Sequence, residues 1–544
     1  MATYPICEFV EPDESEFLFR VRLRGGDLPA NTRNTLVLRS RSGKVVAVSE
    51  ATVTWRVNTT GEWTRSAFNF RIKHSELPAG GFRLELRSEE AEAGRYVAPS
   101  AGVLAESRPR LLGRTRVFQI FPGSGKQVTW IRLASTSRSA RFAWKLRNLA
   151  RDVAFFAQLR RFSWLRLARF VTKPFVPRGK IWLIGERPET ARDNGAAFFE
   201  YLRQERPADP IFYVITRESP MRGRVEAQGN VIDHSSFRHR VFMLHAKVLA
   251  NAYSIKHMLP SNWHPGAYMK QATWRLGARR VYLKHGIHLS PYAVKRANGG
   301  YDLFLTAGDP EHQALEETSG YSRQLAKTGL ARFDNLLTNR PAASGRILFM
   351  PTWRRYLAPP LFGGRTGSTI PFEGSAYEAF MESFLRSQKL DAILEQHDLK
   401  LLMIPHYNLA SNFHAGFSPS PRIEVGDAKT ANIPQLLKEC DALITDYSSV
   451  HFDVAYVGSP IIYAQFDQED YKNLHGASSW FDFQRDGFGP VVSTAAETVG
   501  ALEHYAKRNF EREALYTDRL GRVFEYHDRA NRARIAQAVD SLVP

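Results

Sequence analysis

Leu436-Leu-Lys-Glu-Cys440-Asp-Ala-Leu-Ile-Thr445-Asp-Tyr-Ser-Ser-Val450-His-Phe-Asp-Val-Ala455-Tyr-Val-Gly-Ser-Pro460-Ile-Ile-Tyr-Ala464 is the stretch whose reading decides the fold. The apolar run Ala442–Ile444 predicts a short buried parallel strand, Thr445–Ser449 a polar turn, and the apolar spacing over Val450–Val457 a helix. Gly458 stops that helix, and Pro460–Tyr463 opens the next strand. The whole is one βαβ unit. Ser448 and Ser449 stand where the helix begins, beside free backbone N–H groups and the positive end of the helix dipole, a favourable place for a phosphate. A serine there is also the ordinary helix cap. The local spacing leaves both readings open.

The same alternation runs outward from this unit. Ile181–Ile184, Ile211–Ile215, Val248–Ala250, Val281–Leu283 and Leu303–Leu305 read as strands, each followed by a polar loop and helical spacing. A second series opens with Ile347–Met350, running into Pro351-Thr-Trp-Arg-Arg355, and continues with Leu401–Ile404, running into Pro405-His-Tyr407. Strand, polar loop and helix in repetition predict doubly wound sheets whose sites lie at the carboxyl ends of the strands. The fold expected is α/β: two Rossmann-type domains at 179–340 and 341–544 with a cleft between them, the arrangement of GT-B transferases. A final helical stretch is expected over about 511 to 542.

Residues 1–125 read differently. Phe17, Phe19, Val21 and Leu23 alternate with Leu18, Arg20 and Arg22, and similar short runs follow between Asn, Gly and Pro turns, which predicts a β-sandwich-like accessory domain. Gly123-Ser-Gly-Lys126 resembles a P-loop but lacks the first Gly and has Gln127 where Ser or Thr is required, so it reads as a turn. Residues 126–178 form a basic amphipathic segment. Between Arg132 and Lys180 there are 13 Lys or Arg and one acid, a net of +12 out of +19 for the 544-residue chain. Phe142, Leu146, Leu149, Val153, Phe156, Leu159, Leu165 and Phe170 recur at helical spacing, with Arg141, Lys145, Arg151, Arg160, Arg161, Arg166 and Arg169 between them and Trp144 and Trp164 in the run. Such a segment suits an anionic bilayer surface, each basic residue adding about 1 kcal/mol. A packed linker and a nucleic-acid contact are the alternatives; an anionic membrane is the partner expected and nucleic acid is not. Only Cys7 and Cys440 are present, which fits a reducing compartment. The N-terminus lacks the pattern of a signal peptide, and no apolar run is long enough to span a membrane. The expected location is the cytoplasmic face of the cell membrane, held peripherally, with oligomerisation left open.

Several loops occur together in order: Trp182-Leu-Ile-Gly-Glu-Arg-Pro and Ala191-Arg-Asp-Asn-Gly195, Lys284-His-Gly286, Gly329-Leu-Ala-Arg-Phe-Asp334, Pro351-Thr-Trp-Arg354, Pro405-His406 and Thr445-Asp-Tyr-Ser-Ser449. Over about residues 180 to 540 this set resembles the CDP-glycerol glycerophosphotransferase family, the polymerases and primases of teichoic acid and related capsule polymers. The resemblance implies a GT-B fold, monotopic membrane association, and transfer of a polyol phosphate from CDP-glycerol or CDP-ribitol to a hydroxyl of a lipid-linked polymer acceptor, with release of CMP. It implies no cofactor, the CDP-polyol being a substrate, and no residue is assigned to a metal. One departure stands out: the family usually has His-Gly-Thr-Pro where this chain has His285-Gly-Ile-His288.

That chemistry needs a base for the attacking hydroxyl and cations or N–H donors for the diphosphate. His285, at a strand end before a Gly, is placed to be the base, a role the resemblance favours over a structural loop histidine. His406 lies at a strand end in the donor half and suits the phosphate oxygens. Arg354, Thr445, Asp446, Ser448 and Ser449 are the donor-side candidates, with an ion pair as the plainer role of Arg354 and a turn cap as that of Asp446. Glu186, Arg187, Asp193, Asn194 and His288 are the acceptor-side candidates, and the first four could equally hold a turn together. The competing readings are a GT-B glycosyltransferase using a nucleotide sugar and a non-catalytic membrane- or polymer-binding protein.

Overall fold

The protein is described by a computed structural model covering residues 4–24, 33–57, 63–88, 94–107, 109–112, 115–122, 129–157, 162–289, 294–338, 344–357, 370–406, 408–413, 420–428, 430–475 and 479–543. The Gly123–Lys126 run, Leu159, Arg160, Arg161 and Tyr407 lie outside the described residues. So do the expected boundaries at 125/126 and 340/341.

The N-terminal region is a sandwich of a five-stranded and a seven-stranded sheet. Phe17, Phe19 and Phe70 from one sheet meet Leu36, Leu84 and Ile131 from the other in a common core, as strand alternation requires when one face of each sheet is buried. The strand Thr129–Ser135 pairs antiparallel with Arg116–Pro122. The β region therefore extends beyond the expected limit at 125. It is tied to the next domain by Arg296, whose guanidinium pairs with Glu106 and Glu11. The basic segment forms two helices, Arg138–Ala157 and Leu165–Thr172.

Two parallel sheets follow. The first runs Val231–Asp233, Ile211–Ile215, Trp182–Gly185, Val248–Asn251, Arg279–Tyr282, Leu303–Thr306, Leu325–Lys327 across the sheet. The second runs Ile423–Val425, Lys400–Met403, Arg346–Met350, Ala442–Thr445, Ile461–Ala464, Val491–Val492. Both follow the doubly wound order 3-2-1-4-5-6, extended by one strand in the first. Central strands such as Trp182–Gly185, Val248–Asn251 and Ala442–Thr445 are buried at every residue, because helices cover both faces of such a sheet. The edge strands Ile423–Val425 and Val491–Val492 escaped sequence reading; runs of two or three residues carry no period.

The C-terminus departs from expectation. Instead of one long helix, Ala514–Asp518 and Leu520–Val523 are followed by a non-helical passage, in which Arg529 has φ 63°, and then by the helix Asn531–Leu542. Ile535, Ala536 and Val539 of that last helix pack with Phe199, Leu202 and Val248 of the first Rossmann domain, and Arg206 pairs with Asp540 at 2.6 Å. The chain thus crosses back, and its last helix belongs to the first domain rather than to 341–544.

Candidate active site

In each sheet the strand order reverses between the first and fourth strands, and the crevice at their carboxyl ends is the topological switch point. In the first half the crevice carries the loop from Glu186 to Asn194. The Glu186 carboxylate is buried and accepts from the backbone N–H of Arg192 (3.1 Å), Asp193 (2.8 Å) and Ala196 (2.9 Å) and from the Thr190 hydroxyl (3.1 Å). It shapes the loop and presents nothing to the crevice. Burial, followed by the neighbouring Asp193 charge, pushes its pKa up. Asn194, fully buried, donates to the Lys284 carbonyl at 2.8 Å and accepts from the Arg332 N–H at 2.9 Å, stapling three loops together. Both residues thus fit the turn-holding role that the sequence left open beside the acceptor-side one. Arg187 is exposed, its guanidinium 4.8 Å from the centre of the Tyr253 ring.

Lys284, just past the strand Arg279–Tyr282, has φ 62°, a left-handed conformation that a side chain with a Cβ holds only when its surroundings enforce it. They do: its ammonium is buried against the Glu311 carboxylate, which also accepts from the His288 N–H at 2.8 Å. The next residue, His285, is consequently turned outward and is exposed. Its ring lies nearly parallel to Tyr253, centroids 5.0 Å apart and planes 7° apart, and meets His288 edge-on at 5.6 Å. Desolvation by the surrounding loops lowers its pKa; Asp193 opposes the shift, while Arg332, Lys284 and Arg187 add to it. The shift favours the neutral imidazole, the form a base requires. His288 is held well below the ordinary histidine range by burial, then by Lys284 and His285.

In the second half, Arg354 is completely buried. Its guanidinium binds Asp467 through Nε (2.6 Å) and Nη2 (2.9 Å) and reaches Asp446 at 2.8 Å, within a cage of Tyr377, Tyr447, Phe466 and Tyr471 rings. Asp446 also accepts from the N–H of Thr352 at 2.9 Å and of Tyr447 at 2.6 Å, so it pins the loops after the first and fourth strands to each other. Thr445 is buried with its hydroxyl donated to the Met350 carbonyl at 2.7 Å. Arg354 and Asp446 thus take the plainer roles that the sequence also offered, an ion pair and a turn cap, and the Thr445 hydroxyl is committed to the Met350 carbonyl. Ser448 and Ser449 are half-exposed in front of it, one turn before the helix His451–Val457. His406, after the second strand, is half-buried, stacks on Trp353 at 5.9 Å, and has its pKa lowered to about 4 by burial.

The two halves meet through residues to which sequence reading assigned no role. Arg332 binds Asp193 (2.7 Å) and the His285 carbonyl in the first half, and Asp453 of the second-half helix through two bonds of 2.7 and 2.8 Å. The Trp480 indole donates to the His288 carbonyl at 2.7 Å. A Cβ placed on Gly286 would lie 3.8 Å from the Ser449 hydroxyl and 3.7 Å from Arg332. His285 and the serine loop are therefore neighbours across the crevice. The His406 strand stands two places from the serine-loop strand, roughly 10 Å at sheet spacing. Arg332 was legible only as part of the Gly329–Asp334 run, and Asp453 as a lone charge in an apolar helix. Among the described residues no group of three His, Cys, Asp or Glu side chains is placed to hold a metal.

Comparison with known proteins places this crevice in context. Residues 166–541 match the family model described as CDP-Glycerol:Poly(glycerophosphate) glycerophosphotransferase. The chain is 25% identical over 381 residues to the minor teichoic acid biosynthesis protein GgaB of Bacillus subtilis, a match covering 69% of this chain and 41% of that protein. It is 32% identical over 180 residues to a teichoic acid glycerol-phosphate primase of Bacillus spizizenii, covering 32% of this chain and 37% of the relative. The chain thus spans well under half the length of these curated relatives. Among solved structures, the wall teichoic acid polymerase TagF aligns with 74% of this chain and 98% of its own at 15% identity, with a TM-score of 0.48.

Proposed function

The chain belongs to the CDP-Glycerol:Poly(glycerophosphate) glycerophosphotransferase family, and on that premise we propose that it transfers a polyol phosphate, glycerol phosphate foremost, from a CDP-polyol to a hydroxyl of a lipid-linked teichoic-acid- or capsule-type acceptor. The acceptor oxygen attacks the phosphorus that carries the polyol, the bond to the bridging diphosphate oxygen breaks, and CMP leaves. His285 takes the hydroxyl proton, a contribution of about 10²–10⁴-fold in rate. Ser448, Ser449 and the N–H groups beside them hold the diphosphate, and His406 supports the leaving CMP. The observation that carries this reading is the close approach of the loop holding the exposed His285 to the serine loop: a Cβ on the neighbouring Gly286 would lie 3.8 Å from the Ser449 hydroxyl. The relatives act in teichoic acid synthesis by name, which supports a polyol-phosphate donor over a nucleotide sugar.

Attachment to an anionic membrane surface belongs to the same proposal. Among the described residues no helix is long and apolar enough to cross a membrane, yet Phe142, Leu146, Leu149, Val153 and Phe156 of one basic helix and Leu167, Phe170 and Val171 of the next are exposed. An interfacial helix presents such a face.

The test is to supply the purified protein with CDP-glycerol or CDP-ribitol and a membrane acceptor and to measure CMP together with acceptor-bound phosphate. Wild-type protein should release them one for one. His285→Ala should lose turnover by about 10²-fold or more while donor affinity is nearly kept, and His406→Ala should lose both. Release of a nucleoside diphosphate from a nucleotide sugar, with no CMP from either CDP-polyol, would overturn the proposal in favour of a glycosyltransferase.

A further inference from the structure

The end of the first Rossmann domain opposite the crevice holds a second cavity, of about 710 Å³. It is bounded by the helix Leu165–Thr172 and the passage to Gly179 on one side. On the other side are Ile181 and Lys247, the residues just before the strands Trp182–Gly185 and Val248–Asn251. It therefore opens at the amino ends of the same parallel strands whose carboxyl ends carry the candidate active site. The strands between the two are four residues long, a separation of roughly 13 Å.

Six cations line it: Arg166, Arg169, Lys173, Arg178, Lys247 and Arg275, with His245 at its back. Asp152 is the carboxylate that meets them, bound to Arg166 at 2.6 Å and Arg275 at 3.4 Å. Arg169 donates to the Leu276 carbonyl at 2.8 Å, and the His245 ring hydrogen-bonds the Thr172 hydroxyl at 2.8 Å. Among the described residues no carboxylate pairs with Lys173, Arg178 or Lys247. Gathering cations in this way is unfavourable without an anion. The protein shows the cost: Arg169, His245 and Lys247 all have lowered pKa values, through desolvation first and neighbouring positive charge second. The cations come from three separate segments, 166–178, 247 and 275, so the concentration is a product of folding and not of one basic run.

Phe170, which lines the cavity, is 78% exposed, and Leu167, Val171 and Phe175 of the same segment are exposed as well. A phosphate in the cavity would sit directly beneath aliphatic and aromatic side chains that have no protein cover.

We propose that this cavity is a binding site for the phosphate head group of an anionic phospholipid, whose acyl chains lie along the exposed face of the Leu165–Thr172 helix. Arg169 and Lys247 bind the phosphate oxygens from the domain side, and Lys173 and Arg178 close over it. The site deepens the membrane attachment proposed above by giving it a single, saturable lipid contact. It does not depend on the transferase reaction.

The test uses the full-length protein and dihexanoyl-phosphatidylglycerol below its critical micelle concentration, with binding followed by calorimetry. Wild type should bind one lipid per chain and bind dihexanoyl-phosphatidylcholine at least about tenfold more weakly. The variant Lys173→Gln/Arg178→Gln/Lys247→Gln should lose about tenfold or more in affinity for phosphatidylglycerol. A charge-matched variant outside the cavity, Arg138→Gln/Lys145→Gln/Arg147→Gln, should bind as wild type does. Unchanged binding by the cavity variant, equal loss in both variants, or equal affinity for the zwitterionic lipid would each overturn the proposal. Inorganic phosphate binding as tightly as the lipid would replace the lipid with a soluble phosphate ligand. Because the readout is a monomeric lipid, failure here leaves vesicle flotation and transfer activity to be judged separately.

Discussion

Arg354 carries a full charge with none of its surface open to water, held by two carboxylates, the Thr352 carbonyl and a cage of aromatic rings. Removing one partner from such an arrangement strands the others: a buried pair broken on one side typically costs about 3–5 kcal/mol. Arg354→Ala leaves Asp467 and Asp446 unpaired and frees the Thr352 and Tyr447 loops that Asp446 holds. It is expected to destabilise the protein by that amount in urea denaturation, with loss of activity following from loss of the loop. A stable, normally folded Arg354→Ala protein that had lost only donor affinity would show that the guanidinium reaches the diphosphate after all. Arg354 stood out in the sequence as a basic residue at a strand end, which is where phosphate ligands occur. Its burial was not legible there, because Asp467 lies 113 positions away and only the fold brings the two together.

At the scale of the element, the helices Arg138–Ala157 and Leu165–Thr172 stand out among the described residues for the run of exposed apolar side chains they carry. In the helices of the Rossmann halves that side meets a sheet. Here Phe142, at 63% exposure, and Phe170, at 78%, face outward. The periodicity that announced the helices could not tell an interfacial face from one packed on a neighbouring domain; among the described residues this face has no cover, which supports the attachment proposed above. Replacing Phe142, Leu146 and Leu149 together by Ser removes apolar burial worth roughly 1.5–3 kcal/mol per side chain without altering a contact of the core. Flotation with anionic vesicles should fall by about tenfold or more while thermal stability is unchanged. Undiminished flotation would exclude this face as the attachment surface.

At the scale of the whole molecule, several histidines are folded in neutral. His451, at the start of the helix that follows the serine loop, is fully buried among Phe452, Phe481, Phe483 and Phe488, and desolvation lowers its pKa to about 3. His239 in the first half is lowered likewise to about 3, by desolvation first. The folded pKa lies below the unfolded value of about 6.5, so between the two the unfolded chain binds protons that the folded chain does not. Stability from this source is complete above pH 6.5 and declines as the pH falls toward 3, at up to about 1.4 kcal/mol per pH unit for each histidine. Chemical denaturation between pH 7 and pH 5 should show that decline in the wild type and a shallower one in His451→Phe. Equal slopes for the two proteins would mean that His451 is already protonated in the fold. The joint between the halves belongs to this scale too: Arg332 holds Asp193 and Asp453 at once, so one side chain sets both the width of the crevice and the position of the loop that carries His285.

The sequence by itself determined the α/β architecture, the central strands of both halves, the β character of the N-terminal region and the places of His285, His406, Ser448 and Ser449 at loop ends. All of these rest on local information: apolar runs of strand length, helical spacing, glycines and prolines at the breaks, and loops that must follow strands. What only the tertiary structure decided is which charged groups remain available. Glu186, Asn194, Arg354, Thr445 and Asp446 share residue type and loop position with the proposed contacts, yet each is held by a partner distant in sequence or by the backbone of its own loop. The return of the Asn531–Leu542 helix to the first domain, the Arg332 joint and the cationic cavity beneath the Leu165–Thr172 helix likewise depend on long-range packing. Periodicity shows which face of an element is apolar; it does not show what that face, or the charges beside it, will meet.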